Sequence, residues 1–218
     1  FNMSYMKITK IILDCVCINC SKLLLSSEFH DIIKYKNGKT RLYEIKKYVK
    51  NIKFCWNCNK SVPTIKSDPA YGKMRYIAEY YISDETGDIK KTEILSAAKV
   101  YAIFKNISDA DVNMLGFDHT KARPDDFIYK YLPVAPTAIR PSKRLEFIGK
   151  GIIDNDLTVM LAEIVKTNIT YKKSLKKKEK DVADLSSFFD YYALLLQLKV
   201  ALYFDNTKIF VPKMEQKG

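Results

Sequence analysis

Histidine is almost missing from this chain. His30 and His119 are the only two in 218 residues. Neither has a nucleophile or metal partner beside it in sequence, so histidine-based hydrolase or protease chemistry is excluded as a reading. Long apolar runs are missing too. The best stretches, residues 7–16 and 191–204, are broken by charge or polarity and fall short of the ~18 residues that cross a bilayer. No membrane partner is expected, and the first residues do not read as a secretory leader. Acidic residues are outnumbered, 25 Asp+Glu against 37 Lys+Arg, for a formal net charge of +12. No carboxylate cluster of the kind that positions a metal for phosphoryl transfer is visible. Glycine and proline are sparse, at seven each. What remains is a basic, intracellular, globular chain with slightly negative mean hydropathy, long enough for one or two domains. Its field attracts polyanions, of which nucleic acid is the commonest inside cells.

Five cysteines are present, and four fall in two close pairs, Cys17-Ile18-Asn19-Cys20 and Cys55-Trp56-Asn57-Cys58. A Cys-x-x-Cys turn lets two thiolates converge on one cation, and two such turns complete the tetrahedral set that Zn²⁺ prefers. With four sulfurs and no open position, the expected site is structural and does no chemistry. The gap between the pairs exceeds the roughly 15 to 20 residues of the common template, so the intervening segment must itself fold. Cysteines scattered through a core are a poor match to two close pairs, and a disulfide framework is a poor match to a reducing compartment. Cys15 is the odd one, read as a bystander at the end of a strand or helix.

Periodicity organises the rest. Residues 26–50 read as helix around a turn at Asn37-Gly38. Val62-Pro63-Thr64-Ile65 is extended, residues 74–82 alternate like a strand, and 89–94 pair back across a turn at 84–88. Short helices follow over 96–104 and from Ser108-Asp109 to Gly116. Prolines 133, 136 and 141 hold the next segment extended. A basic loop at 142–153 leads into two helical stripes, 154–168 and 181–206, joined by a lysine-rich tip at 171–180. The stripes suggest an antiparallel helical hairpin or two helices packed on a core. The expected fold class is α+β.

Read in order, several blocks resemble the largest subunit of multisubunit DNA-directed RNA polymerases, the beta-prime-like subunit. Ile12-Leu13-Asp14-Cys15-Val16-Cys17-Ile18-Asn19-Cys20 is similar to the family's first clamp cysteine pair, and Cys58-Asn59-Lys60-Ser61-Val62-Pro63-Thr64-Ile65 to its second. Ile103-Phe104-Lys105-Asn106, Leu115-Gly116-Phe117 and Ala122-Arg123-Pro124 resemble the next block. Tyr131-Leu132-Pro133-Val134-Ala135-Pro136, Arg140-Pro141-Ser142 and Asp156-Leu157-Thr158 follow in the family's order.

The resemblance implies the clamp near the subunit's amino terminus. Residues 1–70 would be a zinc-binding segment with Cys17, Cys20, Cys55 and Cys58 as ligands to one structural Zn²⁺. Residues 71–153 would be the clamp head and core, with a lid-like loop at 143–153. Residues 154–206 would form the clamp helical hairpin, and 207–218 would begin the rudder. Lys143, Arg144 and Lys150 would touch phosphates of DNA or the RNA–DNA hybrid without reading bases. Lys176, Lys177 and Lys178 at the hairpin tip would meet initiation and elongation factors. The family's Asn-Ala-Asp-Phe-Asp-Gly-Asp motif for the catalytic Mg²⁺ is absent, so Mg²⁺ belongs only to the complete polymerase. The chain alone would not polymerise, and its partners would be other polymerase subunits, the second-largest above all. The family's earlier Cys/His zinc site would precede Phe1, so the chain reads as a fragment. Abundant Tyr, Lys, Asn and Ile hint at a large DNA virus. A viral protein would work in cytoplasmic factories or the virion, and a cellular one in the nucleus. The competing reading is a stand-alone zinc-binding adaptor using the hairpin for protein contacts. The block from Ile103 to Ser142 separates the two, because an adaptor has no reason to carry it.

Overall fold

A computed structural model describes residues 1–68, 74–84, 87–144, 151–178 and 186–205. Packing divides the chain into two units, Phe1–Tyr129 and Lys130–Gly218.

The first unit begins with helix α1 (Met6–Cys15), whose apolar face of Ile11, Ile12, Leu13 and Cys15 is buried. Cys15 is thus the last helical residue, inside the core rather than at the metal-binding turn. Helices α2 (His30–Lys34) and α3 (Gly38–Val49) follow, split at Asn37-Gly38 as the periodicity predicts. α3 packs on α1 through Leu42, Ile45 and Val49. Arg41 fastens the split: its guanidinium donates to the carbonyls of Lys34 at 2.7 Å, Lys36 at 2.8 Å and Asn113 at 2.8 Å.

Strands β1 (Thr64–Ser67), β2 (Tyr76–Asp84) and β3 (Gly87–Leu95) form an antiparallel sheet in that order. Ile65 lies opposite Ala78 and Tyr76 opposite Leu95, so one face delivers these four buried side chains to the core. On the other face, Lys66 and Lys90 lie diagonally across from Glu79 and grip its carboxylate at 2.8 and 2.9 Å. Their hydrogen bonds hold the Glu79 carboxyl down to about 2. The alternation predicts the β2–β3 hairpin correctly, although β2 is shifted two residues toward the turn and β3 runs longer than the sequence pattern indicates.

Helices α4 (Ala97–Lys105) and α5 (Asp109–Met114) complete the unit. Each is capped by a serine side chain, Ser96 accepting from the Lys99 amide and Ser108 from the Asp111 amide, both at 3.3 Å. Gly116 stops α5 at φ +95°, a left-handed conformation that favours glycine. It also meets Gly38 backbone to backbone: a Cβ on either would sit 2.4 Å from the other's carbonyl oxygen. That contact seats the start of α3 against the end of α5.

The second unit opens with an exposed, proline-bearing stretch. Arg140 braces it, donating to the Ala135 carbonyl at 2.9 Å and to Thr158 Oγ1 at 3.0 Å. Strands β4 (Lys143–Arg144) and β5 (Ile152–Ile153) pair antiparallel, so the basic loop is closed at its base by a two-residue ladder. Helix α6 (Asp156–Lys178) and helix α7 (Ser186–Phe204) pack on each other. Glu163 near the start of α6 pairs with Lys199 near the end of α7 at 2.9 Å. Two expectations change here. α6 runs on to Lys178 rather than ending near Asn168, because no glycine or proline interrupts it and lysine is a good helix former. α7 ends at Phe204 rather than at Asn206, and within it Lys199 is placed by the ion pair with Glu163. No described helix is long and apolar enough to cross a membrane.

Candidate metal centre

Both Cys-x-x-Cys turns fold into the same knuckle. In the first, the Cys17 amide donates to the Lys22 carbonyl at 2.9 Å and the Ser21 amide to the Cys17 carbonyl at 2.8 Å. In the second, the Cys55 amide donates to the Lys60 carbonyl at 2.9 Å and the Asn59 amide to the Cys55 carbonyl at 2.9 Å. A single bridge closes each, Val16 with Leu23 and Phe54 with Ser61. Ser21 and Asn59 are the two described non-glycine residues with positive φ, at 58° and 52°, and they hold equivalent places one residue past the second cysteine. The structure thereby exposes a six-residue repeat, Cys17-Ile18-Asn19-Cys20-Ser21-Lys22 against Cys55-Trp56-Asn57-Cys58-Asn59-Lys60. Sequence reasoning found the cysteines and missed the repeat, although Asn and Lys recur at fixed offsets.

The knuckles meet sulfur to sulfur. Cys17 Sγ lies 3.6 Å from Cys58 Sγ, and Cys20 Sγ 3.6 Å from Cys55 Sγ. All four sulfurs lie within 4.8 Å of one another. These separations exclude disulfides, whose sulfurs sit about 2.05 Å apart. They fit a shared cation instead: a Zn–S bond of about 2.3 Å implies tetrahedral S···S edges of about 3.8 Å. Cys15 does not join them, and burial pushes its thiol far up, out of the range in which it would ionise.

The local electrostatics suit a cation. Burial pushes the Cys17 thiol up to about 12 and raises that of Cys55. At Cys20 burial acts in the same direction, but hydrogen bonds from the Lys22 backbone, the Asn57 side chain and the neighbouring thiols outweigh it, lowering that thiol to about 7. Without a cation the sulfurs must share protons. A divalent ion displaces those protons, which ties metal affinity to pH.

The other predicted residues lie in the second unit. Lys143 is exposed on β4, and Arg144 is its strand neighbour. Lys150 and the rest of the loop from 145 to 150 lie outside the described residues, as do Asn206 and residues 207–218, where the rudder is expected. Lys176 is exposed on α6, and Lys177 and Lys178 end that helix. The remainder of the expected tip, 179–180, and the expected start of the second helix, 181–185, lie outside the described residues.

A mixed helix-and-sheet chain whose two knuckles bring four thiols within metal-binding reach of one another defines a protein with a candidate four-thiolate metal site. More specifically, the chain belongs to the family of RNA polymerase Rpb1, domain 1, whose model it matches over residues 1–218. It is 35% identical to DNA-directed RNA polymerase subunit 1 of Acanthamoeba polyphaga mimivirus, over 100% of this chain and 15% of that protein. It is 31% identical to DNA-directed RNA polymerase II subunit RPB1 of Euplotoides octocarinatus, over 90% of this chain and 43% of that protein. It is 30% identical to DNA-directed RNA polymerase III subunit RPC1 of Debaryomyces hansenii, over 94% of this chain and 16% of that protein. The chain therefore spans less than half the length of each of these curated relatives.

Proposed function

We propose that this chain is the clamp region of the largest subunit of a DNA-directed RNA polymerase, stabilised by one structural Zn²⁺ on Cys17, Cys20, Cys55 and Cys58. The single observation that carries this reading is the family match along the full chain, which includes the Ile103 to Ser142 block that an independent adaptor would not need. Zn²⁺ is chosen because four thiolates in tetrahedral reach, with no further donor among the described residues, are a soft, closed set. Bound there, the metal would lock the two knuckles together and supply folding free energy, not chemistry.

In this reading residues 1–70 are the zinc-binding segment, 71–153 the clamp head and core, and 154–206 the helical hairpin, with 207–218 entering the rudder. The antiparallel hairpin is supported by the Glu163–Lys199 pair, which matches an early position of α6 to a late one of α7. The loop closed by β4 and β5 is the lid, and Lys143, Arg144 and Lys150 contact phosphates of DNA or the RNA–DNA hybrid. Lys176, Lys177 and Lys178 present positive charge to initiation or elongation factors. The catalytic Mg²⁺ sits in other parts of the complete nucleotidyltransferase, and the second-largest subunit is the principal partner. The mimivirus relative favours a viral polymerase, working in cytoplasmic factories or the virion; a cellular one would work in the nucleus.

The test is binding to an RNA–DNA hybrid across a salt series. The proposal expects sequence-blind affinity that falls steeply with salt, because phosphate contacts release counterions, and no nucleotide incorporation by the chain alone. Salt-independent binding, or incorporation by the isolated chain, would contradict it.

A further inference from the structure

The second knuckle carries two large rings that lie mostly outside the core. Phe54 is 64% exposed and Trp56 61%, and they flank Cys55. Trp56 is nonetheless held: its Nε1–H donates to the Leu23 carbonyl beside the first knuckle at 2.8 Å. The indole's one polar atom is thus satisfied internally, and what it offers to solvent is apolar ring surface in a fixed orientation. Such exposure is unfavourable for an isolated surface, and the equivalent places on the first knuckle, Val16 and Ile18, are both buried.

Charge says what the rings face. Between Glu44 and Asp68 the sequence has six lysines and no acidic residue, and between Asp14 and Glu28 it has Lys22 and no acidic residue; of the six, Lys46, Lys47 and Lys66 pair with Asp14, Glu44 and Glu79, which leaves Lys50, Lys53 and Lys60. Lys50, Lys53 and Lys60 are exposed. Together with Lys22 they outweigh the formal −2 of four thiolates on a divalent ion. A fixed indole face and a second exposed ring among exposed lysines are the components of a platform on which bases stack while their phosphates are neutralised.

We infer that the second knuckle binds single-stranded nucleic acid, with bases stacking on Trp56 and Phe54 and with Lys53 and Lys60 on the phosphates. This surface is separate from the phosphate contacts proposed for Lys143, Arg144 and Lys150, so either can fail while the other stands.

Trp56 is the sole tryptophan, so its fluorescence reports on this site alone. The zinc-loaded chain is titrated with a 20-nucleotide oligo(dT), a 20-nucleotide oligo(U) and a 20-base-pair duplex. Either single strand should quench Trp56 strongly, and the duplex should not; the two single-stranded arms tell DNA from RNA. Trp56→Ala and Phe54→Ala, followed with labelled oligonucleotide, should each weaken single-strand binding roughly tenfold, and Trp56→Phe should restore most of it. Lys53→Gln with Lys60→Gln should flatten the dependence of log K on log salt by about 1.4. Zinc content equal to that of the parent chain confirms that each variant is folded. No quenching by either strand at low salt would overturn the inference and leave the rings to a protein partner. Equal quenching by duplex, or unchanged affinity in Trp56→Ala, would overturn it as well.

Discussion

Val16 and Ile18 on the first knuckle and Phe54 and Trp56 on the second hold equivalent backbone places, yet the first pair lies in the core and the second in solvent. The shared features are those that a metal demands: two sulfurs per turn, amides tied back to the first cysteine, and a left-handed residue after the second. The unshared features are those that the surroundings set. The first knuckle follows directly from α1 and inherits its apolar environment, while the second follows α3 and a lysine-rich stretch. Ligand geometry therefore fixes the frame, and the side chains between the ligands are free to serve either the core or a surface.

The largest effect should be the same for both knuckles. Cys17→Ser and Cys55→Ser each remove one of four ligands to a metal whose apparent contribution to small sites is on the order of 10 kcal/mol. Both should abolish stoichiometric zinc and unfold at least the cysteine segments, as judged by metal analysis and thermal melts. If one knuckle tolerates the change and the other does not, the metal is not shared. The variable positions should then part company. Ile18→Ala should cost roughly 2 to 5 kcal/mol through lost burial and a cavity. Trp56→Ala should cost only about 1 kcal/mol, mostly the hydrogen bond to Leu23. Equal costs in chemical denaturation would erase the contrast drawn here.

Cys15→Ser tests the boundary of the site. It should leave one zinc per chain intact while costing about 1 to 3 kcal/mol, because a hydroxyl replaces a thiol in an apolar interior. Loss of zinc in that variant would move Cys15 into the ligand set. The smallest effect lies outside both knuckles. Glu79 is held at about 2 in the fold against an ordinary 4.5, so its interaction with Lys66 and Lys90 stabilises fully above about pH 4.5 and fades as pH falls toward 2. The stability difference between the parent chain and Glu79→Gln should thus be constant from pH 7 to 5 and shrink below, whatever the metal does in common to both. A difference that grows on acidification would contradict the assignment.

Much of this was legible in the sequence for definite reasons. The four clustered cysteines declare themselves by spacing, the β2–β3 hairpin by alternation, α4 by its amphipathic pattern, and α5 by a serine cap and a terminal glycine. The extent of α6 was hidden because a run of lysines reads as a solvated tip, while its helix propensity keeps the backbone helical through Lys178. The contact of Gly38 with Gly116 was invisible because it joins backbones 78 positions apart in the numbering, and no local pattern encodes it. The orientation of Trp56 was hidden for a similar reason: its partner is the carbonyl of Leu23, a group every residue possesses.

The shared four-thiolate centre is tested most directly by X-ray absorption at the zinc edge on the purified chain, together with metal counting. The account predicts one zinc per chain in a shell of four sulfurs at about 2.3 Å. A metal-free chain whose cysteines are all open to alkylation in the native state would contradict it. So would a shell containing nitrogen or oxygen.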